Sequence, residues 1–251
     1  MQKVVYDSYS DFFDSHVYLN THHLRQDEYI VLPSEIRHAI STLTRLIEVS
    51  REYKMPLCLT FIDLKKTFDS VETEAVIGAL GNQGVPTQCI RMLRELYDSF
   101  TSRISPFYKE VIINVKRGVR QGGTISPKLF SAALENIIRH LEWGDLGVKA
   151  DGRCLHHLRC ADDIVLITLS IEQAERMLAE FSSACGKIGL RLNLNEDDVH
   201  ENGLVPDASF TLKGKNISEC PSYVYLGREV NMMNELAPEL CRRKTRRVGN
   251  I

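Results

Sequence analysis

Several things are scarce in this 251-residue chain. Net charge is one: 31 Lys and Arg stand against 33 Asp and Glu, leaving −2. No whole-molecule field therefore steers the protein toward nucleic acid or a lipid surface, and any polyanion binding must rest on local clusters. Long apolar runs are absent too. Nothing approaches the roughly 20 residues of a membrane span, and no early segment joins a basic start to an apolar stretch of signal length. The expectation is an intracellular protein, nuclear or cytoplasmic, with no signal peptide, no transmembrane segment and no membrane partner; the sequence says nothing of its oligomeric state. The seven cysteines include no Cys-x-x-Cys pair and their odd number leaves one over, which fits reduced thiols better than a disulfide framework. Internal repeats and low-complexity linkers are missing. The 43% hydrophobic and 25% charged residues suit one large or two small globular domains and exclude a disordered chain.

What is present reads as a mixture of helices and strands. "LCLTFI" (57 to 62) is a short apolar, β-rich run that stops at Asp63. A short helix follows, capped at Ser70 or Thr73 and ended at Gly81 or Gly84. A second is expected from about Thr87 to Phe100, with Ile90, Leu93 and Tyr97 on one stripe. Val111, Ile113 and Val115 alternate as in a half-buried strand. Ser126 and Pro127 form a cap and first-turn pair, opening a helix that buries Phe130, Ala133, Leu134, Ile137 and Leu141. Asp151-Gly152 marks a tight turn between two strands. Ser170 and Gln173 make a capping box for a helix with Ala174, Met177, Leu178, Phe181 and Cys185 on its apolar face, stopped at Gly186 and Gly189. Short strands in "FTLKG" and "SYVYLGREV" complete an α+β pattern, a mainly antiparallel sheet backed by helices.

Two stretches carry candidate chemistry. In "CLHHLRC", Cys154, His156, His157 and Cys160 offer zinc-type ligands, but the stretch is strand-like, and on one strand 154, 156 and 160 share a face that 157 does not. A hairpin strand without zinc is expected. In "CADDIVLI" (160 to 167), Asp162 and Asp163 precede an apolar strand. Consecutive strand positions point to opposite faces, so the pair cannot both enter one core. Either it is a polar turn, or it serves a site together with a third carboxylate. Asp63, at the end of the first buried strand, is the candidate. Three such carboxylates can bind two Mg²⁺ ions, hard cations that want oxygen ligands, and metals so held favour in-line phosphoryl displacement. Without a cation, crowding three like charges is strongly unfavourable.

"FIDLKKTFDSV", "RGVRQGGTISPKLF", "CADDIVLI" and "GLRLNLN" follow one another in the order and approximate spacing of the palm motifs of reverse transcriptases. The wording most resembles non-LTR (LINE-type, RTE-like) retrotransposon polymerases. The resemblance implies the palm of a right-hand polymerase over residues 42–230, after an N-terminal segment (1–41) holding a remnant of the upstream region and before a palm–thumb junction with a basic tail (231–251). It implies an RNA-directed DNA polymerase acting by two-metal nucleotidyl transfer, with Mg²⁺ or Mn²⁺ as cofactor (two ions when active) and an RNA template, a DNA primer and deoxynucleoside triphosphates as partners. Asp63, Asp162 and Asp163 become catalytic metal ligands. Phe68 takes the aromatic position under the incoming sugar, where a rigid ring leaves no room for a 2′-hydroxyl. Arg120, Gln121 and Gly122 line the nucleotide loop: glycine lets the backbone approach, Gln121 can hydrogen-bond nucleotide or template, and Arg117 and Arg120 can meet phosphates. Asp69 reads as a helix-start or packing residue.

Three departures from the pattern stand out. Cys160 replaces the Tyr or Phe before the Asp pair. Glu196, followed by Asp197 and Asp198, stands where relatives carry a Lys, placing negative charge where a polyphosphate approaches. "LPSEIRHAIS" and "TLTRLIEVSREYKMPLC" meet at Ser41 and Thr42, where the resembled polymerases interpose a long fingers region, and the chain stops before a thumb. The expectation is therefore an impaired or inactive polymerase domain. The alternatives are a catalytically silent remnant that binds nucleic acid and a two-metal nuclease; Phe68 and Gln121 speak against the nuclease, since they suit nucleotide selection. Maturase-like RNA binding would call for basic surfaces, of which "RRKTRR" near the C-terminus is the one strong cluster, readable equally as a solvated tail.

Overall fold

The computed structural model describes residues 33–98, 101–105, 110–120, 125–150, 153–193, 199–201, 205, 210–212, 215–216, 220–235 and 237–248. In chain order its elements are α1 (Pro33–Glu52), β1 (Cys58–Ile62), α2 (Thr67–Ser70), α3 (Thr73–Asn82), α4 (Thr87–Tyr97), β2 (Thr101–Ile104), β3 (Val111–Asn114), α5 (Ser126–Arg139), β4 (Val148–Ala150), β5 (Arg153–Leu155), β6 (His157–Cys160), β7 (Asp163–Thr168), α6 (Ile171–Lys187), β8 (Val199–Glu201), β9 (Thr211–Leu212), β10 (Lys215–Asn216), β11 (Tyr223–Tyr225), β12 (Arg228–Val230) and α7 (Ala237–Val248). They fall into two compact units. One takes the chain up to Asp63, Trp143–Ala179 and the stretch from Asn193 on; the other takes Leu64–Glu142 and Glu180–Leu192.

The first unit is built on an antiparallel sheet of order β6-β7-β1-β8. All five residues of β1 are buried, as an unbroken apolar run demands of a central strand. Phe61 pairs with Val165 across the sheet, and Leu59, Phe61, Leu158, Val165 and Ile167 join one apolar cluster. Over it lies α1, which contributes Ala39, Leu43, Leu46 and Ile47 at helical spacing. The two sequence segments that meet at Ser41 and Thr42 run through α1 as one continuous helix, and Thr42 and Leu43 are buried at the junction.

The β11–β12 hairpin closes the cluster. Tyr223 stacks on Phe61 with ring centroids 4.3 Å apart, and Tyr225 tilts against the same ring at 5.6 Å. Glu239 of α7 anchors the hairpin: its carboxylate accepts the Glu229 N–H and pairs with Arg242 at 2.7 Å, while Arg242 also donates to the Gly227 carbonyl. The basic "RRKTRR" stretch thus begins on a helix, and its first arginine is committed to this ion pair rather than to a solvated tail.

In the second unit α3 packs on α5, burying Val76, Ile77, Ala79 and Leu80 against a face that includes Leu129, Phe130, Ala133 and Ile137. Two caps differ from expectation. Glu72, not Ser70 or Thr73, precedes α3, and Ser126 is the first residue within α5, its hydroxyl donating to the Arg120 carbonyl instead of capping the helix. The stripe Ile90, Leu93, Tyr97 of α4 is only half-buried and Met92 and Leu96 are exposed. Of the expected alternating positions Val115 is half-buried but Ile113 faces solvent, as does its neighbour Ile112, and β3 pairs only with β2 among the described residues. A lone two-stranded ribbon gives alternation nothing to bury against. Half of the capping box of α6 forms, the Gln173 N–H donating to Ser170 Oγ, while Gln173 Oε1 accepts the Leu169 N–H one residue earlier than the box requires; Ala174, Met177, Leu178, Phe181 and Cys185 are fully buried.

"CLHHLRC" breaks at His156: β5 pairs with β4, whereas β6 belongs to the four-stranded sheet, so one alternation does not run through it. The rings of His156 and His157 stack 4.7 Å apart with their Nδ1 atoms at 2.8 Å, each ring meeting Trp143 edge-on. One Nδ1 must donate and the other accept, so the accepting ring is neutral. Burial, then the neighbouring His156 and Arg159, push the His157 pKa down to about 3, whereas an unfolded histidine titrates near 6.5. Between those values the unfolded chain binds the extra proton, and stability falls as pH drops through the window. The urea midpoint should decline between pH 7 and pH 4, and His157→Gln should flatten that slope; an unchanged slope in the variant would show that the pair does not titrate on unfolding.

Candidate active site

The sheet register assembles the acidic residues. Ile62 of β1 pairs with Ile164 of β7, and one step further along lie Asp63 and Asp163, at the same end of the sheet. Cys160 pairs with Asp163, so Ala161 and Asp162 form a two-residue turn between β6 and β7. Ala161 takes φ 56° to close it, a left-handed conformation that costs a non-glycine residue about 1 kcal/mol or more.

Asp63 is held from two directions by one residue. The Asn193 N–H donates to the Asp63 carbonyl at 2.9 Å, and Asn193 Nδ2 donates to its carboxylate at 3.0 Å. Asp162 is half-buried and Asp163 is more open, yet the Asp163 pKa is pushed up to about 6 by partial desolvation, then by the charges of Asp162 and Asp63. Asp163 therefore senses the other two carboxylates. They are neighbours rather than a closed ligand set: among the described residues no three His, Cys, Asp or Glu side chains are arranged to hold a metal ion. Beneath the turn the Cys160 thiol, raised to about 11 by burial and by Asp163, is inert as a nucleophile.

The second unit holds the nucleotide-loop candidates. Phe68, on α2, is half-buried with its ring 5.3 Å from that of Phe130. The Val119 N–H donates to the Phe68 carbonyl and the Gly118 N–H to that of Val71. Gly118 has φ +91°, and a Cβ there would lie 2.6 Å from the Phe68 carbonyl oxygen. Glycine is thus required where the loop crosses α2. Arg120, exposed, follows two residues later. Arg117 is in an ion pair with Glu72 at 3.1 Å, which engages one of the two expected phosphate-binding cations. Gln121, Gly122, Gly123 and Glu196 lie outside the described residues.

Reading the sequence alone passed over Asn193 and Gly118. Both lie inside quoted motifs, Asn193 as the first Asn of "NLN" and Gly118 as the first Gly of "RGVRQGG", but nothing local distinguishes a carboxylate-holding Asn from any other.

The fold is that of a right-hand polymerase. Telomerase from Candida tropicalis, truncated from its C-terminal domain, superposes with a TM-score of 0.55 at 13% identity over 93% of this chain and 44% of that one. Telomerase of the same organism in complex with the TWJ fragment of telomeric RNA gives 0.56 at 13%, over 93% and 36%. At such identity the likeness is one of fold.

Residues 18–196 match the family described as reverse transcriptase (RNA-dependent DNA polymerase), and the chain belongs to that family. A transposon-derived protein of Caenorhabditis elegans is 37% identical over 102 residues, 39% of this chain and 36% of that protein. The Pol polyproteins of the R2 retrotransposable elements of Bradysia coprophila and Nasonia vitripennis are each 28% identical, over 61% and 72% of this chain and 18% of each polyprotein. The chain thus spans about a third or less of the length of these relatives.

Two substitutions test the geometry. Folding raises the Asp163 pKa to about 6 from an ordinary 3.8, so the folded state binds more protons in that window and stability falls as pH rises through it, staying low above pH 6. Asp163→Asn should therefore raise the melting temperature at pH 7 to 8, with the difference closing below pH 4; an equal or lower melting temperature at pH 8 would contradict the crowding. Gly118→Ala should cost about 1–3 kcal/mol in urea unfolding, through the left-handed backbone and the blocked approach to Phe68; a neutral substitution would mean the loop can lift off α2.

Proposed function

We propose that this chain is the palm of a retrotransposon reverse transcriptase, acting on a primer end paired to an RNA template with deoxynucleoside triphosphates as substrates. One observation carries the reading: the β1–β7 register and the two-residue β6–β7 turn gather Asp63, Asp162 and Asp163 at one sheet end, where partial desolvation first, and then the charges of Asp162 and Asp63, push the Asp163 pKa up. Like charges placed together at a cost call for a compensating cation.

Asp63, Asp162 and Asp163 would hold Mg²⁺ or Mn²⁺, hard cations matched to carboxylate oxygens. When bound, such ions activate the attacking hydroxyl and offset charge on the departing oxygen. The chain's own residues do the rest. Asn193 keeps the Asp63 carboxylate in place through its side-chain amide. The resemblance would add Phe68 under the incoming sugar and Arg120, Gln121 and Gly122 as the nucleotide loop. In the resembled pattern Glu196 takes the position of a Lys, which would replace a positive charge with a negative one near the leaving pyrophosphate.

Phosphoryl transfer depends mostly on positioning and charge stabilisation, a misplaced positioning element costs about 10²-fold in rate, and Glu196 reverses one expected charge. The domain by itself is therefore a weak polymerase. In primer extension on an RNA template with Mn²⁺, the purified chain should add at most a few nucleotides, Asp162→Asn should abolish the addition, and Glu196→Lys should increase it. Long products that disappear in Asp162→Asn would overturn the impairment; products that persist in Asp162→Asn would overturn the site.

A further inference from the structure

β3 is an edge strand without the features that keep edges solitary. It pairs with β2 along one side and, among the described residues, with no strand along the other. An open row of backbone N–H and C=O groups is a template for a further strand, and proteins commonly blunt it with a charge, a proline or a bulge within the strand. The four residues of β3, "VIIN", include no charge and no proline, and their register with β2 is unbroken. Ile112 and Ile113 are 59% and 44% exposed. Successive strand positions point to opposite faces, so the strand shows an isoleucine on each.

The residues around β3 say what fits the edge. "EVIINVK" (110 to 116) is nearly symmetric about Ile113: a valine lies two residues to either side, and three residues to either side stand Glu110 and Lys116, of opposite charge. When two copies of such a strand run antiparallel about a two-fold axis through Ile113, Ile113 meets Ile113 of the second copy. Val111 then meets Val115, Ile112 meets Asn114 and Glu110 meets Lys116, each of these pairs occurring twice. Directly opposed β-branched residues and opposite charges favour pairing, whereas like charges oppose it. Moving the axis half a residue, to between Ile112 and Ile113, sets Glu110 opposite Val115 and loses both ion pairs. Glu110 and Lys116 are exposed, as cross-strand partners at a sheet edge must be.

We propose that the β3 edge is a homodimer interface, in which β3 of one copy pairs antiparallel with β3 of a second about Ile113, joining two ribbons into one four-stranded sheet. The contact is isologous, the same patch on both copies, and therefore closes at two. A lone two-stranded ribbon is marginal in water, whereas three or more strands with an apolar face hold together, so association also steadies the ribbon. The inference is independent of the carboxylate site: the ribbon belongs to the second compact unit and Asp63, Asp162 and Asp163 to the first.

Sedimentation velocity of the full chain at low ionic strength, over a wide range of concentration, should show a reversible monomer–dimer equilibrium. Glu110→Lys or Lys116→Glu alone sets two like-charged pairs across the joint and should weaken dimerisation about 10-fold. The double substitution Glu110→Lys with Lys116→Glu reverses both charges and should restore the wild-type affinity, which also shows that neither single change acts by misfolding. Ile113→Lys places one charge against its own copy on the axis and should abolish the dimer. A chain that stays monomeric, single reversals without effect, or a double variant no tighter than the singles would overturn the proposal. So would amides at 111–115 protected from exchange in a monomer at every concentration, since another segment of the same chain would then hold the edge. Assemblies larger than two would overturn the closed pairing.

Discussion

Antiparallel pairing of β1 with β7 is the interaction on which the acidic site depends. The five residues of β1 are buried, and burial of so apolar a strand fixes its register, because a one-residue slip would turn Leu59 and Phe61 away from the cluster they share with Val165 and Ile167. That register alone sets which residues emerge at the sheet's end. With Ile62 opposite Ile164, Asp63 and Asp163 must emerge side by side. The core thus acts as the ruler for the site: apolar packing, whose free energy is large and non-directional, fixes the separation of carboxylates whose mutual repulsion would otherwise drive them apart.

The same core determines how the surrounding parts attach. Phe61 lies between the sheet and the β11–β12 hairpin, stacked by Tyr223 and tilted against Tyr225. The hairpin is anchored in turn by the largely buried Glu239–Arg242 pair. Removing one member of such a pair leaves the other charge without compensation, at about 3–5 kcal/mol, which makes α7 part of what holds Tyr225 against the cluster. The α1 helix covers the same cluster without interruption at Ser41 and Thr42. A join at that point, where the resembled polymerases interpose a fingers region, is compatible with helical continuity because Ala39, Leu43, Leu46 and Ile47 keep a single apolar stripe across it.

Much of this was legible from local patterns, and the reasons are physical. β1 and β7 announce themselves as short apolar runs ending or beginning at Asp, and α6 by a Ser170–Gln173 box followed by five apolar positions at helical spacing. Where local pattern and tertiary context part company, legibility fails. Ile112 and Ile113 are apolar yet exposed, since no second layer covers the ribbon they belong to among the described residues. The alternation assumed through "CLHHLRC" is broken at His156 by a change of sheet, and strand propensity does not encode sheet membership. Asn193 and Gly118 act across long stretches of chain, on Asp63 and on α2. Their residue types only permit those roles, and the fold assigns them.

The turn that presents Asp162 is unfavourable on two separate counts, and their combination argues for selection by function. Ala161 adopts a left-handed backbone that glycine would adopt at lower cost, and Asp163 is held in an environment that disfavours its charge. Either could be relieved by one substitution without disturbing the strands on each side. Strain and like-charge crowding at the same few residues are features of sites whose geometry is over-determined by the structure around them. Here the surrounding structure is the ladder of β6, β7 and β1, whose apolar burial exceeds what the turn loses. A polar turn with no task would have no reason to retain both costs, and the two costs at residues 161–163 are what the proposed site accounts for.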